Sequence, residues 1–309
     1  MSIKADNLVK RYKEVVAVDH VSFTVQPGQI FGFLGPNGAG KSTTISMLIT
    51  RSAPTSGTAS VGGFDIVTQE TQVRRVAGVA LQEIGLDPLM KARELLTIQG
   101  QMFNMTPRQA RQRAGDLLDL VKLTDDNRPV GKFSGGMRRR LDLALALVHE
   151  PEILFLDEPT TGLDPASRHD VWAEVRRLNS ERGTTIFLTT HYLEEADQLC
   201  DWIAVINGGK IVTEGKPAQL KAALGTESIN VEFDQPDTAA AAQGVLQPHI
   251  QRIQQDNHIL RLYLPDAAKS IPSVVSQLEA ASLRPLSLTL TQPTLDDVFL
   301  QVTGQRFAA

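Results

Sequence analysis

Residues 30–43 read IFGFLGPNGAGKST. Ile30 to Leu34 form a short apolar run, the length of a fully buried strand. The run breaks at Gly35 and Pro36, and the spacing from Ser42 to Ile49 predicts a helix. Strand, glycine-rich turn and helix in that order make a phosphate-binding loop. The glycines let the backbone turn so that its N–H groups converge on phosphate oxygens. The helix N-terminus adds a dipole that favours the anion. Lys41 supplies a charge for the β and γ phosphates of a nucleotide, and the Ser42 hydroxyl suits Mg²⁺. The predicted loop comprises Gly35, Pro36, Asn37, Gly38, Ala39, Gly40, Lys41, Ser42 and Thr43. The pattern occurs once, so one nucleotide-binding unit is expected per chain.

Outward from this loop, strand and helix signals alternate. VAGVAL (76–81), ILFL (153–156) and TTIFLT (184–189) read as strands, and 166–180 and 193–200 as helices. Such alternation predicts an α/β core with a largely parallel sheet. From about 84 to 150 the segments ARELLTIQGQMF, RQARQRAGDLLDLVKL and MRRRLDLALALVHE fit helical periods, which predicts a helical insert. WIAVI and KIVTEG flank Asn207-Gly208-Gly209 as a hairpin. A boundary is expected at Gly225, a plausible helix C-cap, giving a nucleotide-binding domain over 1–225 and a smaller α+β domain over 226–309. The second domain reads strand 228–233, helix 237–246, strands 250–255 and 258–264, helix 270–281, strand 284–291 and helix 294–302. That order matches a split βαβ, ferredoxin-like unit with one extra helix. Leu286, Leu288 and Leu290 alternate as if lining a buried strand face. Leu295, Val298, Phe299 and Val302 form a stripe on the closing helix.

Composition sets limits. The 309 residues are 42% hydrophobic and 21% charged, with a net charge of −4, an ordinary globular balance with no basic field for nucleic acid. One cysteine, Cys200, excludes an internal disulfide and suits a reducing compartment. The opening MSIKADNLVKRYK has no apolar core, so no secretory signal is expected. No run approaches the ~18 apolar residues of a membrane span.

Two further elements carry chemistry. Asp157-Glu158 ends the ILFL strand, where ligands bind in open α/β sheets. Asp157 would hold Mg²⁺ and Glu158 would orient or deprotonate water. An acidic pair after a strand is weak alone and strong beside a phosphate-binding loop. Ser134 is a good N-cap for a helix running to about Glu150, and Gly135 and Gly136 leave N–H groups open to an anion. By itself this is a capped helix with Arg138–Arg140 on a solvated face.

GPNGAGKST, FSGGM, ILFLDEP, TTGLD and TTH, in this order and at these separations, resemble the ATP-binding subunit of an ABC transporter over about residues 2–222. The resemblance implies a role for each matching position. Tyr12 would stack on adenine. Gln82 would sense γ-phosphate and Mg²⁺ and face a membrane partner. Ser134, Gly135 and Gly136 would contact the γ-phosphate held by an opposite subunit, while Leu163 and Asp164 cross between the two sites. His191 would contact γ-phosphate. Singly, such an aromatic, glutamine or histidine is usually packing or solvated loop; the motif series reverses those odds. Met137 stands where the family has glutamine, so the polar contact of that amide is in doubt. RPVGKFSGGMRRRLDLALALVHEP and QPTLDDVFLQVTG resemble the daunorubicin-resistance type of export ATPase, which has an extra C-terminal domain. This implies ATP and Mg²⁺ as cofactors, a separately encoded membrane permease, a second copy or related ATPase subunit, and a cytoplasmic place on the membrane face. A ribosomal ABC ATPase would carry two units and basic extensions. A DNA-repair ATPase would need a long coiled coil, and a non-hydrolysing module would lack the set Lys41, Asp157 and Glu158.

Overall fold

A computed structural model of the chain describes residues 2–82, 85–124, 126–224, 227–247, 250, 252–264, 266–291 and 293–304. The chain forms two compact units that divide between Glu214 and Gly215. Gly225, and Ile84 at the expected start of the insert, lie outside the described residues.

The first unit begins with β1 (Ile3–Tyr12), β2 (Val15–Val25), β3 (Ile30–Leu34) and α1 (Lys41–Leu48). It continues through β4 (Ser56–Val61), β5 (Phe64–Asp65), α2 (Glu70–Val76) and β6 (Ala77–Ala80). Three helices follow: α3 (Ala92–Met102), α4 (Pro107–Leu120) and α5 (Gly135–Ala146). The unit closes with β7 (Ile153–Asp157), α6 (Pro165–Arg182), β8 (Thr185–Thr190), α7 (Leu193–Leu199), β9 (Trp202–Asn207) and β10 (Lys210–Gly215). The sequence reading missed α2, whose seven residues bury only Val73 and so carry no amphipathic pattern. It also ran α5 on to Glu150, whereas the helix ends at Ala146 and Glu150 takes a left-handed φ of 56°.

Two sheets build the core. One has the order β2-β1-β4-β5, the other β10-β9-β3-β8-β7-β6. In the second, β3, β6, β7, β8 and β9 pair in parallel. Phe23 on β2 meets Phe31 and Phe33 on β3 and Phe187 on β8 at centroid distances of 5.4, 5.6 and 5.6 Å. These rings join the sheets. Burying each one stabilises the unit by about 2–3 kcal/mol. The parallel strands are buried along their length, as IFGFL, ILFLD and TIFLTT show. Their C-terminal ends lie together and carry Gly35, Glu158 and His191 immediately beyond them.

The second unit contains α8 (Pro217–Ala222), β11 (Glu227–Glu232), α9 (Pro236–Leu246), β12 (Arg252–Asp256), β13 (Ile259–Leu264), α10 (Ala267–Ala280), β14 (Ser287–Thr291) and α11 (Leu295–Thr303). Its sheet order, β12-β13-β11-β14, is antiparallel throughout. Ile229, Val231, Phe233, Leu260 and Leu262 pack against Ala239, Ala242 and Leu246 of α9 and Val274 and Leu278 of α10. Arg261 ion-pairs Asp297 of α11 at 2.9 Å. The expected buried face of the last strand needs correction. Leu290 and Leu288 do lie opposite Ile229 and Val231. However, β14 is the sheet edge, and Leu286 and Leu290 are 67% and 44% exposed. Alternation fixes which face a residue takes, not whether a helix covers that face. In α11, Leu295, Val298 and Phe299 are buried and Val302 is exposed.

Candidate functional site

The turn after β3 fits only glycine at its tightest points. Gly40 has φ 108°, and a Cβ there would lie 2.4 Å from the Ala17 carbonyl oxygen. A Cβ on Gly35 would lie 2.3 Å from the Ile206 carbonyl oxygen. The turn delivers Lys41 and Ser42 at the start of α1. The Lys41 ammonium donates to the carbonyls of Gly35 (2.8 Å) and Pro36 (3.1 Å). It also lies 3.1 Å from Glu158 Oε1, with both side chains buried.

Glu158 is the centre of the cluster. Its Oε2 accepts from Gln82 Nε2 and from Thr161 Oγ1, each at 3.2 Å. His191 Nδ1 lies 3.0 Å from the same oxygen but lacks the alignment of a hydrogen bond. The Glu158 backbone is left-handed, φ 48°, and its N–H is shared by the Thr189 carbonyl and hydroxyl oxygens, each at 3.1 Å. Such a conformation in a non-glycine residue persists only where its surroundings over-determine it. Burial opposes ionisation of Glu158. The charge and hydrogen bond of Lys41, with His191 close by, outweigh it and hold the carboxyl below its ordinary value. Asp157, one residue earlier, accepts from Ser42 Oγ at 3.2 Å and from Thr189 Oγ1.

A cavity of about 310 Å³ opens on this cluster, lined by Asn37, Gly38, Gly40, Lys41, Ser42, Thr43, Gln82 and Glu158, with Ala17. Pro36 and Ala39 shape the turn behind it, where Ala39 N–H donates to the Pro36 carbonyl. The Ser42 hydroxyl and Asp157 carboxylate lie side by side at the foot of this turn, oxygen ligands of the kind a hard divalent cation takes. Tyr12 does not line the cavity. It is 49% exposed at the end of β1, with Lys10 Nζ 5.0 Å from its ring centre.

Ser134 and Gly135 are exposed and stand apart from this chain's own Lys41 cavity. Ser134 Oγ caps α5 by accepting from Met137 N–H at 3.2 Å. Gly136 is buried, and a Cβ there would meet Ser167 Oγ at 2.7 Å. Met137 Sδ lies 3.9 Å from Arg128 Nη2. Asp164 has a structural task the sequence reading did not assign. It caps α6, accepting from Ser167 N–H (3.0 Å) and Ser167 Oγ (2.6 Å), and the Ser167 hydroxyl holds its carboxyl below the usual range.

Among the buried charged residues that were missed, Arg139 and Glu195 lie against the site's own segments. Arg139 was read as part of a solvated arginine run, yet it is 4% exposed. The signal was available. Arg139 shares a helical face with Gly136, Leu143 and Ala146, all buried. Glu195, fully buried, accepts from Thr160 Oγ1 and Trp172 Nε1, each at 2.8 Å, and burial pushes its carboxyl up. Nothing in the sequence around Glu195 distinguishes it from a surface acid of a short helix.

Comparison with known proteins agrees with this geometry. The family pattern described as ABC transporter matches residues 18–161, and that of the ATP-binding protein DrrA1-3-like C-terminal domain matches residues 215–303. The daunorubicin resistance ATP-binding protein DrrA3 of Streptomyces coeruleorubidus is 41% identical over 304 residues, covering 98% of this chain and 96% of that protein. A Nod factor export ATP-binding protein I of Ralstonia nicotianae is 38% identical over 305 residues, covering 98% and 94%. A dimeric post-hydrolysis state of the ATP-binding cassette MJ0796, bound to ADP and Pi, superposes with a TM-score of 0.63 at 27% identity, over 69% of this chain and 98% of that one. Fold and site together define a phosphate-binding-loop ATPase of the cassette class. The chain belongs to the ABC transporter ATP-binding family, among the relatives that carry the DrrA-type C-terminal domain. It is the ATP-binding and ATP-hydrolysing subunit of such a transporter, a class whose members dimerise and work with membrane components. Among the described residues no helix is long and apolar enough to cross a membrane.

Proposed function

We propose that two such subunits close head to tail on ATP and that hydrolysis reopens them, driving a separately encoded membrane permease from its cytoplasmic side. The observation that carries the reading is the convergence of Lys41, Gln82 and His191 on the one carboxylate of Glu158. Lys41 neutralises the β and γ phosphates, which compete with Glu158 for the same ammonium. Ser42, Asp157 and Gln82 hold Mg²⁺, which supplies charge neutralisation at the phosphates. Glu158, ionised at neutral pH, orients the attacking water and accepts its proton. Gln82 and His191 contact the γ-phosphate, and Tyr12 stacks on adenine. Asn37, Gly38, Ala39, Gly40 and Thr43 complete the phosphate cradle. Ser134, Gly135 and Gly136 serve the phosphate of the opposite subunit, with Met137 beside them in place of the family's glutamine, and Asp164 lies on the loop between sites. Support for a shared site is that Ser134 and Gly135 are exposed and away from their own chain's cavity.

The cargo is a drug-like or lipid-like hydrophobic molecule, a reading that rests on relatives named for daunorubicin resistance. The C-terminal region performs no chemistry and favours pairing of the subunits or their coupling to the permease. Glu158→Gln tests the core of the scheme. The amide keeps shape but accepts no proton, so turnover should fall about 10²–10⁴-fold while ATP still drives a dimer visible by size-exclusion chromatography. Turnover near wild type would remove Glu158 from catalysis.

A further inference from the structure

We propose that Arg139 is a positioning residue for ATP hydrolysis: it clamps the backbone segments carrying Gln82 and Glu158 to α5, and Asp142 aims it. The proposal rests on the reading above that these two side chains act at the γ-phosphate.

All three guanidinium nitrogens are used. Nε donates to the Pro159 carbonyl at 2.8 Å, and Nη2 to the Asp157 carbonyl at 3.2 Å. Nη1 donates to the Leu81 carbonyl at 2.6 Å and to Asp142 Oδ2 at 3.0 Å. The three carbonyls are not scattered through the core. Asp157 and Pro159 flank Glu158, and Leu81 immediately precedes Gln82. One rigid plane therefore fixes the peptide on each side of the left-handed Glu158, the over-determination that its φ of 48° requires. The same plane fixes the entry to Gln82, so the 3.2 Å contact between Gln82 and Glu158 is set from a third element.

That element is α5, whose N-terminus is Ser134-Gly135-Gly136. Five residues of helix, about 7.5 Å of rise, separate Ser134 from Arg139. The motif offered to an opposite subunit and the hydrolytic carboxylate of this one are thus joined through a single side chain. Lysine could not replace it. An ammonium is a point charge and cannot reach three divergent carbonyls, whereas the guanidinium fork can. Asp142, one turn further along α5, completes the arrangement. Its carboxylate contacts Arg139 on one side and lines a cavity of about 340 Å³ with Gln99, Phe103 and His149 on the other.

A purely structural arginine would satisfy buried carbonyls and matter for folding alone. The two roles separate in the full-length chain by measuring kcat, affinity for a fluorescent ATP analogue and thermal stability for Arg139→Lys, Asp142→Asn, the double variant and Glu158→Gln. Loss of alignment without loss of binding should lower kcat of Arg139→Lys by about 10- to 100-fold with nucleotide Kd unchanged within about threefold. Asp142→Asn should show a smaller fall of the same kind. The double variant should be no slower than Arg139→Lys, because Asp142 acts through Arg139. The clamp is overturned if Glu158→Gln is inactive while Arg139→Lys turns over at the wild-type rate. It is also overturned if, in a folded Arg139→Lys, affinity falls in step with kcat, or if the two single effects multiply. Should Arg139→Lys not fold, Asp142→Asn decides alone, and an unchanged kcat there overturns the proposal. Wild-type turnover in Glu158→Gln instead overturns the functional reading, and the clamp falls with it.

Discussion

Replacing Asp142 by asparagine should change the pH dependence of stability in a sense set by the burial of its carboxyl. Burial raises the Asp142 carboxyl from 3.8 to about 6, against the pull of the neighbouring Arg139. The folded state therefore binds this proton more tightly than the unfolded chain. Below about pH 3 both states are protonated and the group costs nothing. Between about pH 4 and 6 the unfolded chain ionises first, so stability falls as pH rises; above about pH 6 the loss is complete. At about 1.4 kcal/mol per pH unit the loss amounts to about 3 kcal/mol. Asparagine has no proton to lose. The unfolding free energy of Asp142→Asn minus that of wild type should thus climb by about 3 kcal/mol from about pH 3 to pH 7 and then level off. The attraction of Arg139 for the ionised carboxylate opposes the burial effect and is already contained in the value of about 6, so it adds no separate contribution to the slope. Urea denaturation at intervals of half a pH unit measures the difference, and contributions from other groups cancel in it. A flat difference, or one that declines with pH, would refute the assignment of a buried carboxyl held above its normal range by desolvation.

Lys41→Ala should weaken ATP binding outright, whereas Ser134→Arg should leave binding by the monomer intact and abolish turnover. Mixing the two variants should restore partial ATPase activity, because in a head-to-tail pair one site combines both lesions and the other has neither; complete absence of rescue argues against shared sites. Gly40→Ala should cost about 2 kcal/mol or more of stability and most of the ATP affinity, since its φ of 108° and the Ala17 carbonyl 2.4 Å away leave no room for a methyl group. Thermal melts with and without nucleotide check this. A chain ending at Glu214 should still bind ATP but lose specific activity more steeply on dilution than the full chain. Superimposable dilution curves would leave coupling to the permease as the role of the C-terminal region.

The sequence by itself determined the class of fold, and it named Lys41, Gln82, Glu158 and His191, which the structure brings together. IFGFLGPNGAGKST requires a buried strand, a glycine turn and a helix, because only that geometry uses those residues, and the structure forms them as β3, the turn and α1. The strands ILFL and TTIFLT are contiguous apolar runs legible without partners. The βαββαβ order of the second unit was likewise readable, because each strand and helix carries its own period. Tertiary structure decided the rest. Whether Leu286 and Leu290 are covered depends on where α9 and α10 end over the sheet, which no local pattern encodes. Arg138, Arg139 and Arg140 are identical letters in a row, yet Arg139 alone turns inward onto the carbonyls of Leu81, Asp157 and Pro159. Those acceptors lie 58, 18 and 20 residues away along the chain. Arg139 is buried because carbonyls from these distant segments accept from its guanidinium, and those partners come together only once the chain has folded.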